Sequence, residues 1–271
     1  MAKPVDYSIW KQNNSSVLDG LKNKRVFLLF SGGKDSSVCL HLLVKAGREF
    51  GFSIEAHAGA FPLHRYTAPE KERINGFWQA MGVPILWHDV AQDDACLNKG
   101  DNACLPCQEL RRKKLNDVLR NTEKQWDNLV LVVSYTLWDL VSYTSEHLFA
   151  EVFTKTNRGV PRRLQSRFVE ISQRFYPFLH MKEGYSVFRP LLRYNGCDVL
   201  KTVEKENIPI LNIPCRFKDS RPKRILERYY DKMKLSFDYD EVFKFAKQTM
   251  GLVDPSEYRN MDKERYLKKV F

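Results

Sequence analysis

Two short stretches of this 271-residue sequence carry residue types spaced for chemistry. The first is Ser31-Gly32-Gly33-Lys34-Asp35-Ser36, directly after the apolar run Val26–Phe30. A glycine pair between a buried strand and a helix lets backbone N–H groups approach a phosphate closely, while the helix dipole attracts its charge. Ser31 and Ser36 add hydroxyl donors, Lys34 an ammonium, and Asp35 a carboxylate able to orient the loop or help hold Mg2+. The spacing is not that of a Walker A loop, G-x-x-x-x-G-K-S/T.

The second stretch is Cys104-Leu105-Pro106-Cys107, opening the basic run Gln108–Arg120. The six cysteines are Cys39, Cys96, Cys104, Cys107, Cys197 and Cys215. In a reducing compartment such residues serve metals, catalysis or packing more often than disulfides. Cys39 falls in an apolar helical pattern and reads as core, and Cys96 and Cys197 read as small, partly buried side chains. Cys104, Cys107 and Cys215 remain. Three soft thiolates suit iron–sulfur or zinc, and a closed structural zinc site would want a fourth ligand, with His88 and His180 as candidates.

These residues need a scaffold, and the chain alternates strand and helix patterns. Strands are expected at Val26–Phe30, Ile54–Ala58, Pro84–Trp87, Leu129–Val133 and Tyr185–Leu191. Between them lie helical patterns: one with Val38, Leu42 and Leu43 inward and Gly47 as its stop, then Pro69–Met81, Gln108–Arg120, Trp138–Phe153, and one from a cap at Asn195 to Glu206. Ile74, Phe77, Trp78 and Met81 form the inward stripe of the second. The alternation predicts an α/β fold with a doubly wound, mostly parallel sheet and right-handed crossovers. Ile208–Cys215 reads as extended and Pro222–Met250 as an amphipathic helical appendage. The expected organisation is an extension over 1–24, a catalytic domain over 25–220 and a helical segment over 221–271.

Forty-four Lys and Arg against 33 Asp and Glu give a formal charge of +11, which favours a polyanionic partner over an acidic one. The basic residues concentrate in Lys155–Arg174, where only Glu170 opposes them, so Arg158, Arg162, Arg163 and Arg167 are candidate RNA phosphate contacts, with a solvated helix face as the plain alternative. No run of about 18 apolar residues predicts a membrane span, and Met1–Asp6 lacks the apolar stretch of a secretory signal, so a cytoplasmic location is expected.

The hexapeptide resembles the loop of the PP-loop ATP pyrophosphatases, which cleave ATP between the α and β phosphates. With C-x-x-C followed by Leu110-Arg111-Arg112, then Phe188-Arg189-Pro190-Leu191 and Ile213-Pro214-Cys215, the sequence from Arg25 to Tyr230 looks like the tRNA 2-thiocytidine synthetases. That resemblance implies ATP and Mg2+ as cofactors, tRNA as partner, a sulfur donor such as a cysteine desulfurase or sulfide, and a 4Fe–4S cluster on Cys104, Cys107 and Cys215 with one iron left open. It implies catalytic roles for Lys34, Asp35 and Asp139, and leaves a homodimer open. Two departures stand out. The family's Gly-His-x-x-Asp-Asp segment is here Ser134-Tyr135-Thr136-Leu137-Trp138-Asp139, and the C-x-x-C usual at the last cysteine is Cys215-Arg216-Phe217-Lys218.

The remaining candidates favour packing: His57 at a strand end, and Tyr135, Trp138 and Tyr143 as core rather than base-stacking residues. Two further functions compete with RNA sulfur transfer. One is PP-loop chemistry on a small molecule or in nucleotide sulfur metabolism, resembling the phosphoadenylylsulfate reductases, although their cysteine near the C-terminus has no counterpart after Cys215. The other is a non-catalytic RNA-binding protein with structural Zn2+.

Overall fold

In this computed structural model, which describes residues 2–100, 102–122, 126–149, 168–220 and 222–269, six strands form one sheet in the order β3-β2-β1-β4-β6-β5. The strands are β1 (Arg25–Leu29), β2 (Ser53–Ala60), β3 (Ile85–Asp89), β4 (Leu129–Val132), β5 (Phe178–His180) and β6 (Ser186–Phe188). All neighbours pair in parallel except β5, which runs antiparallel to β6 at one edge. The doubly wound, mostly parallel sheet is thus the one the alternation predicts. The edge hairpin is not: β5 has three residues and too short a pattern to register.

The helices are α1 (Tyr7–Asn13), α2 (Ser15–Leu18), α3 (Lys34–Phe50), α4 (Ala68–Ala80), α5 (Cys104–Thr122), α6 (Leu137–His147), α7 (Gly196–Lys205), α8 (Pro222–Lys232), α9 (Tyr239–Met250), α10 (Pro255–Arg259) and α11 (Lys263–Lys269). Val26, Leu28, Ala56, Ala58, Val130 and Phe188 project from one face of the sheet into a core shared with Val38, Leu42 and Leu43 of α3, Ile74 and Trp78 of α4, and Val199 of α7. Trp10 of α1 is fully buried in the same core and donates its indole N–H to Pro190 O at 3.0 Å. Phe27, Leu129, Leu131 and Val187 project from the other face and pack with Leu119 of α5, Tyr258 of α10, and Tyr266 and Leu267 of α11. Alternate residues of one strand therefore serve two cores, as burial of a sheet on both faces requires.

Two of the boundaries that differ from the sequence expectation have a local cause. Gly47 does not end α3; the helix runs on to Phe50, and Gly51, at φ +72°, supplies the left-handed cap. A Cβ on Gly47 would lie 3.0 Å from Phe52 O and 3.3 Å from Ile54 Cδ1, so this glycine serves close packing of α3 on the strand that follows. The Pro222–Met250 stretch is two helices, broken after Lys232, with Lys234 at φ +55°.

Candidate nucleotide and thiol site

The Ser31–Ser36 loop leaves the carboxyl end of β1, a central strand, and becomes the first turn of α3. Open α/β sheets collect ligands at that edge. Gly32 sits at φ +69°, and a Cβ there would lie 2.8 Å from Leu211 Cγ and 2.9 Å from Leu211 Cδ1. Backbone conformation and space both demand glycine. Leu211 is held against the turn by its own N–H, which donates to Gly32 O at 2.8 Å. Inside the loop the hydroxyls of Ser31 and Ser36 lie 2.9 Å apart, and Ser36 Oγ accepts from Ser31 N–H at 3.1 Å. The Tyr66 hydroxyl donates to Ser31 O at 2.9 Å. Gly33 is the N-cap of α3 and no side chain caps the helix, so no carboxylate competes for its first amides.

Beside this turn a cavity of about 170 Å3 is lined by Lys34, Asp35, Thr136, Asp139, Lys223 and Glu227, with Trp138 and Arg224 completing its wall. Lys34 Nζ donates to Asp35 Oδ1 at 2.6 Å. Asp139 lies in the first turn of α6, where its Oδ2 accepts from Thr136 N–H at 2.8 Å and from Thr136 Oγ1 at 3.1 Å, while Lys223 of α8 donates to its Oδ1. Burial pushes the Asp35 carboxyl above the usual carboxylate range; the Lys34 ammonium pulls against that and the neighbouring Asp139 charge adds to it. Burial would raise Asp139 too, but Lys223 and the Thr136 hydrogen bonds outweigh it and hold the carboxyl below the ordinary range. The two carboxyls are thus shifted in opposite senses, beside two ammonium groups.

The structure brings Lys34, Asp35 and Asp139 into one cavity with the loop. Lys223 completes the set and escaped sequence reasoning, because a lysine in an amphipathic tail helix looks like any solvated lysine until its helix is docked.

The cysteines give a mixed picture. No disulfide joins any of the six. Cys39 is fully buried in α3, and burial pushes its thiol up, as a core residue should behave. Cys104 and Cys107 lie in the first turn of α5, which begins four residues before the expected Gln108. Cys107 is buried with Phe61, Val90 and Leu97, and Cys96 and Phe217 pack against that cluster. The Cys215 segment is drawn to the same corner by the loop after β2: Arg65 Nε donates to Ile213 O at 3.0 Å, and Arg216 N–H donates to His64 Nε2 at 3.2 Å. His64 Nδ1 in turn meets Asp94 Oδ2 at 2.6 Å. Yet among the described residues no three His, Cys, Asp or Glu side chains stand in an arrangement that holds a metal ion. His180, one proposed fourth ligand, lies on β5 at the opposite edge of the sheet from β3, hydrogen-bonded to Ser186. His88, the other, faces His57 Nδ1 at 3.0 Å.

His57 is a packing residue: its ring stacks on Phe27 with centroids 3.8 Å apart and its Nε2 meets Glu55 at 3.2 Å. Trp138 is buried against Tyr230 and Phe237. Tyr135 and Tyr143 flank the Arg174 guanidinium, 5.5 and 4.6 Å from their ring centres. Arg174 also pairs with Glu170 at 2.5 Å, so the carboxyl end of the basic segment is an internal ion pair rather than a phosphate contact. Arg158, Arg162, Arg163 and Arg167 lie outside the described residues.

No protein-family model matches the sequence, and no curated protein matches it. Among solved structures the chain is similar to the U34-tRNA thiolase NcsA from Methanococcus maripaludis, determined with its 4Fe–4S cluster: the TM-score is 0.63 at 16% identity, over 92% of this chain and 81% of that one. The chain shares the α/β fold of that protein. At that identity the likeness is one of fold. NMN synthetase from Francisella tularensis aligns over 95% of this chain and 98% of its own at 12% identity, with a TM-score of 0.46, too low to carry an argument. Among the described residues no helix is long and apolar enough to cross a membrane.

Proposed function

We propose that this protein is an ATP-dependent sulfurtransferase that acts on a pyrimidine carbonyl, in tRNA. The observation that supports this best is the meeting of an uncapped helix N-terminus, a tight Ser-Gly-Gly turn, two lysines and two aspartates around one cavity. Such a site fits a nucleotide polyphosphate with Mg2+: backbone amides and ammonium groups take the phosphate oxygens, and the Asp35 and Asp139 carboxylates take the cation. The carbonyl oxygen of the base attacks the α-phosphorus and pyrophosphate leaves. Sulfur then attacks the activated carbon, and AMP leaves with the former carbonyl oxygen. Lys34 and the loop amides neutralise the charge that builds on the phosphates.

Cys104, Cys107 and Cys215 are the residues we assign to a 4Fe–4S cluster. Cys104 and Cys107 open one helix and the Cys215 segment is tied to the same corner; three such sulfurs are the donor chemistry a cluster needs, although they do not form a ligand group as they stand. When bound, the cluster would supply an open iron for the sulfur being transferred. Arg158, Arg162, Arg163 and Arg167 are proposed to hold the RNA backbone, and the sulfur donor to be a cysteine desulfurase or free sulfide.

Nucleoside mass spectrometry of RNA from a deletion strain tests the reading directly: one thiolated pyrimidine should vanish and return with the wild-type gene but not with Asp35→Ala. Anaerobic protein should carry iron and labile sulfide and lose both on any single Cys→Ala change at the three positions. Stoichiometric zinc without iron, with a full set of thionucleosides in the deletion strain, would refute it.

A further inference from the structure

The charges around the cavity cancel pairwise, and one of them comes from an unexpected part of the chain. Lys34 pairs with Asp35, Lys223 with Asp139, and Arg224 with Glu227 at 2.7 Å. Lys34, Asp35 and Asp139 stand on the first turns of α3 and α6, helices that follow central strands. Lys223 stands on α8, in the helical stretch that follows the last strand. A nucleotide triphosphate and a divalent cation arriving together present the opposite charges in the right order: the cation competes for the carboxylates and the phosphates compete for the ammonium groups.

We propose that Lys223 is a further phosphate-binding residue, held on Asp139 until Mg-ATP exchanges the partners, so that bound nucleotide draws α8 down over the cavity. This rests on the assignment of the cavity as a nucleotide site. Three observations support it. No described side chain of α8 is buried, and Ile225, Tyr229 and Met233 just beyond it are 52%, 57% and 51% exposed, so little packing holds the helix in place. Two of the contacts it does make lie at the site: Tyr230 meets Trp138 edge-on at 5.3 Å, and Glu227 lines the cavity beside Lys223. Finally, a Cβ on Gly196 would lie 3.3 Å from Lys34 Nζ and 3.5 Å from Glu227 Oε1. The loop lysine and the inner face of α8 therefore close on one point, and the first residue of α7 is the one that leaves room for them.

The test is a titration series on the full chain with Mg-ATP, with adenosine, and with Mn2+ alone. Replacing Lys223→Gln removes one charge-assisted contact to phosphate, so affinity for Mg-ATP should fall about tenfold or more while adenosine affinity stays unchanged. Mn2+ alone should bind the variant more tightly than wild type, because Asp139 has lost its resident cation. Those opposite signs separate the proposal from a merely structural role, which would weaken both. Lys223→Arg should retain Mg-ATP affinity. If Lys223→Gln binds Mg-ATP like wild type while Lys34→Gln weakens it, the cavity is a nucleotide site without Lys223 and the proposal is overturned. Wild-type protein that binds no Mg-ATP would overturn the nucleotide assignment itself.

Discussion

Gly32→Ala offers a sharp test of the loop, because its cost has two sources that can be separated. The native φ of +69° is the left-handed region, where a Cβ costs about 1–2 kcal/mol. The new methyl would also stand 2.8 and 2.9 Å from Leu211 Cγ and Cδ1, inside any normal carbon contact. Leu211 cannot simply move off, since its N–H is bonded to Gly32 O and its side chain is buried. Overpacking of that kind costs about 1–3 kcal/mol, giving about 2–5 kcal/mol in all. Leu211→Ala alone should cost about 2–4 kcal/mol through the cavity it leaves. In the double variant the clash is gone but the backbone strain remains, so the two costs should fall short of additivity by about 1–3 kcal/mol. Urea unfolding of the four proteins at one pH, with the slope checked for constancy, measures this. Strict additivity would show that residue 32 and Leu211 do not meet, and would remove the packing account of the glycine.

His57 should make stability fall in acid. Burial lowers its pKa from 6.5 to about 4, with the nearby His88 and Arg25 charges acting in the same sense and Glu55 against them, so the folded state keeps the ring neutral where the unfolded chain protonates it. Its contribution is complete above pH 6.5 and is lost as pH falls to about 4, an effect of about 3 kcal/mol that His57→Gln should remove from the pH profile of urea stability. Gly47→Ala should destabilise rather than stabilise despite its helical site, by about 1–2 kcal/mol, because the methyl meets Phe52 O; a gain in thermal midpoint would contradict this. Replacing His64→Ala removes the ring that accepts from Arg216 N–H and meets Asp94, while the backbone N–H bonds of residues 63 and 64 to Asp94 remain, so amide exchange of residues 213–218 should accelerate about tenfold or more while β1 and β4 are unaffected.

Much of the scaffold is legible in the sequence because each central strand is an apolar run bounded by turn residues. Val26–Phe30 and its glycine turn announce a strand, a loop and a helix within a dozen positions, and Asn195, read as a helix cap, does cap α7, through a reciprocal box with Asp198 that the structure adds. Residue spacing reaches the site only where neighbours in sequence are neighbours in space, as with Lys34 and Asp35; Asp139 is reached through the family resemblance. Lys223 is not reached, since its meaning depends on α8 crossing to Asp139. Gly47 misleads for the same reason: a glycine at the end of a helical pattern reads as a stop, whereas the fact that keeps it is the return of the chain at Phe52. Cys104-x-x-Cys107 was visible as spacing, but the His64 and Arg65 tethers that bring the Cys215 segment toward it come from a loop with no motif of its own.

The hydrogen bond from Leu211 to Gly32 gives the molecule a fixed yardstick. Leu211 is fastened to the Ser31–Ser36 turn, and Cys215 follows four residues later on the same extended stretch. Four residues of chain cannot span more than about 14 Å. The separation between the turn and that thiol is therefore set by covalent bonds and one anchor, not by how two domains happen to close. Shortening the stretch by one residue would shift that limit by about 3 Å, so its length between Leu211 and Cys215 is as much a part of the site as any side chain on it.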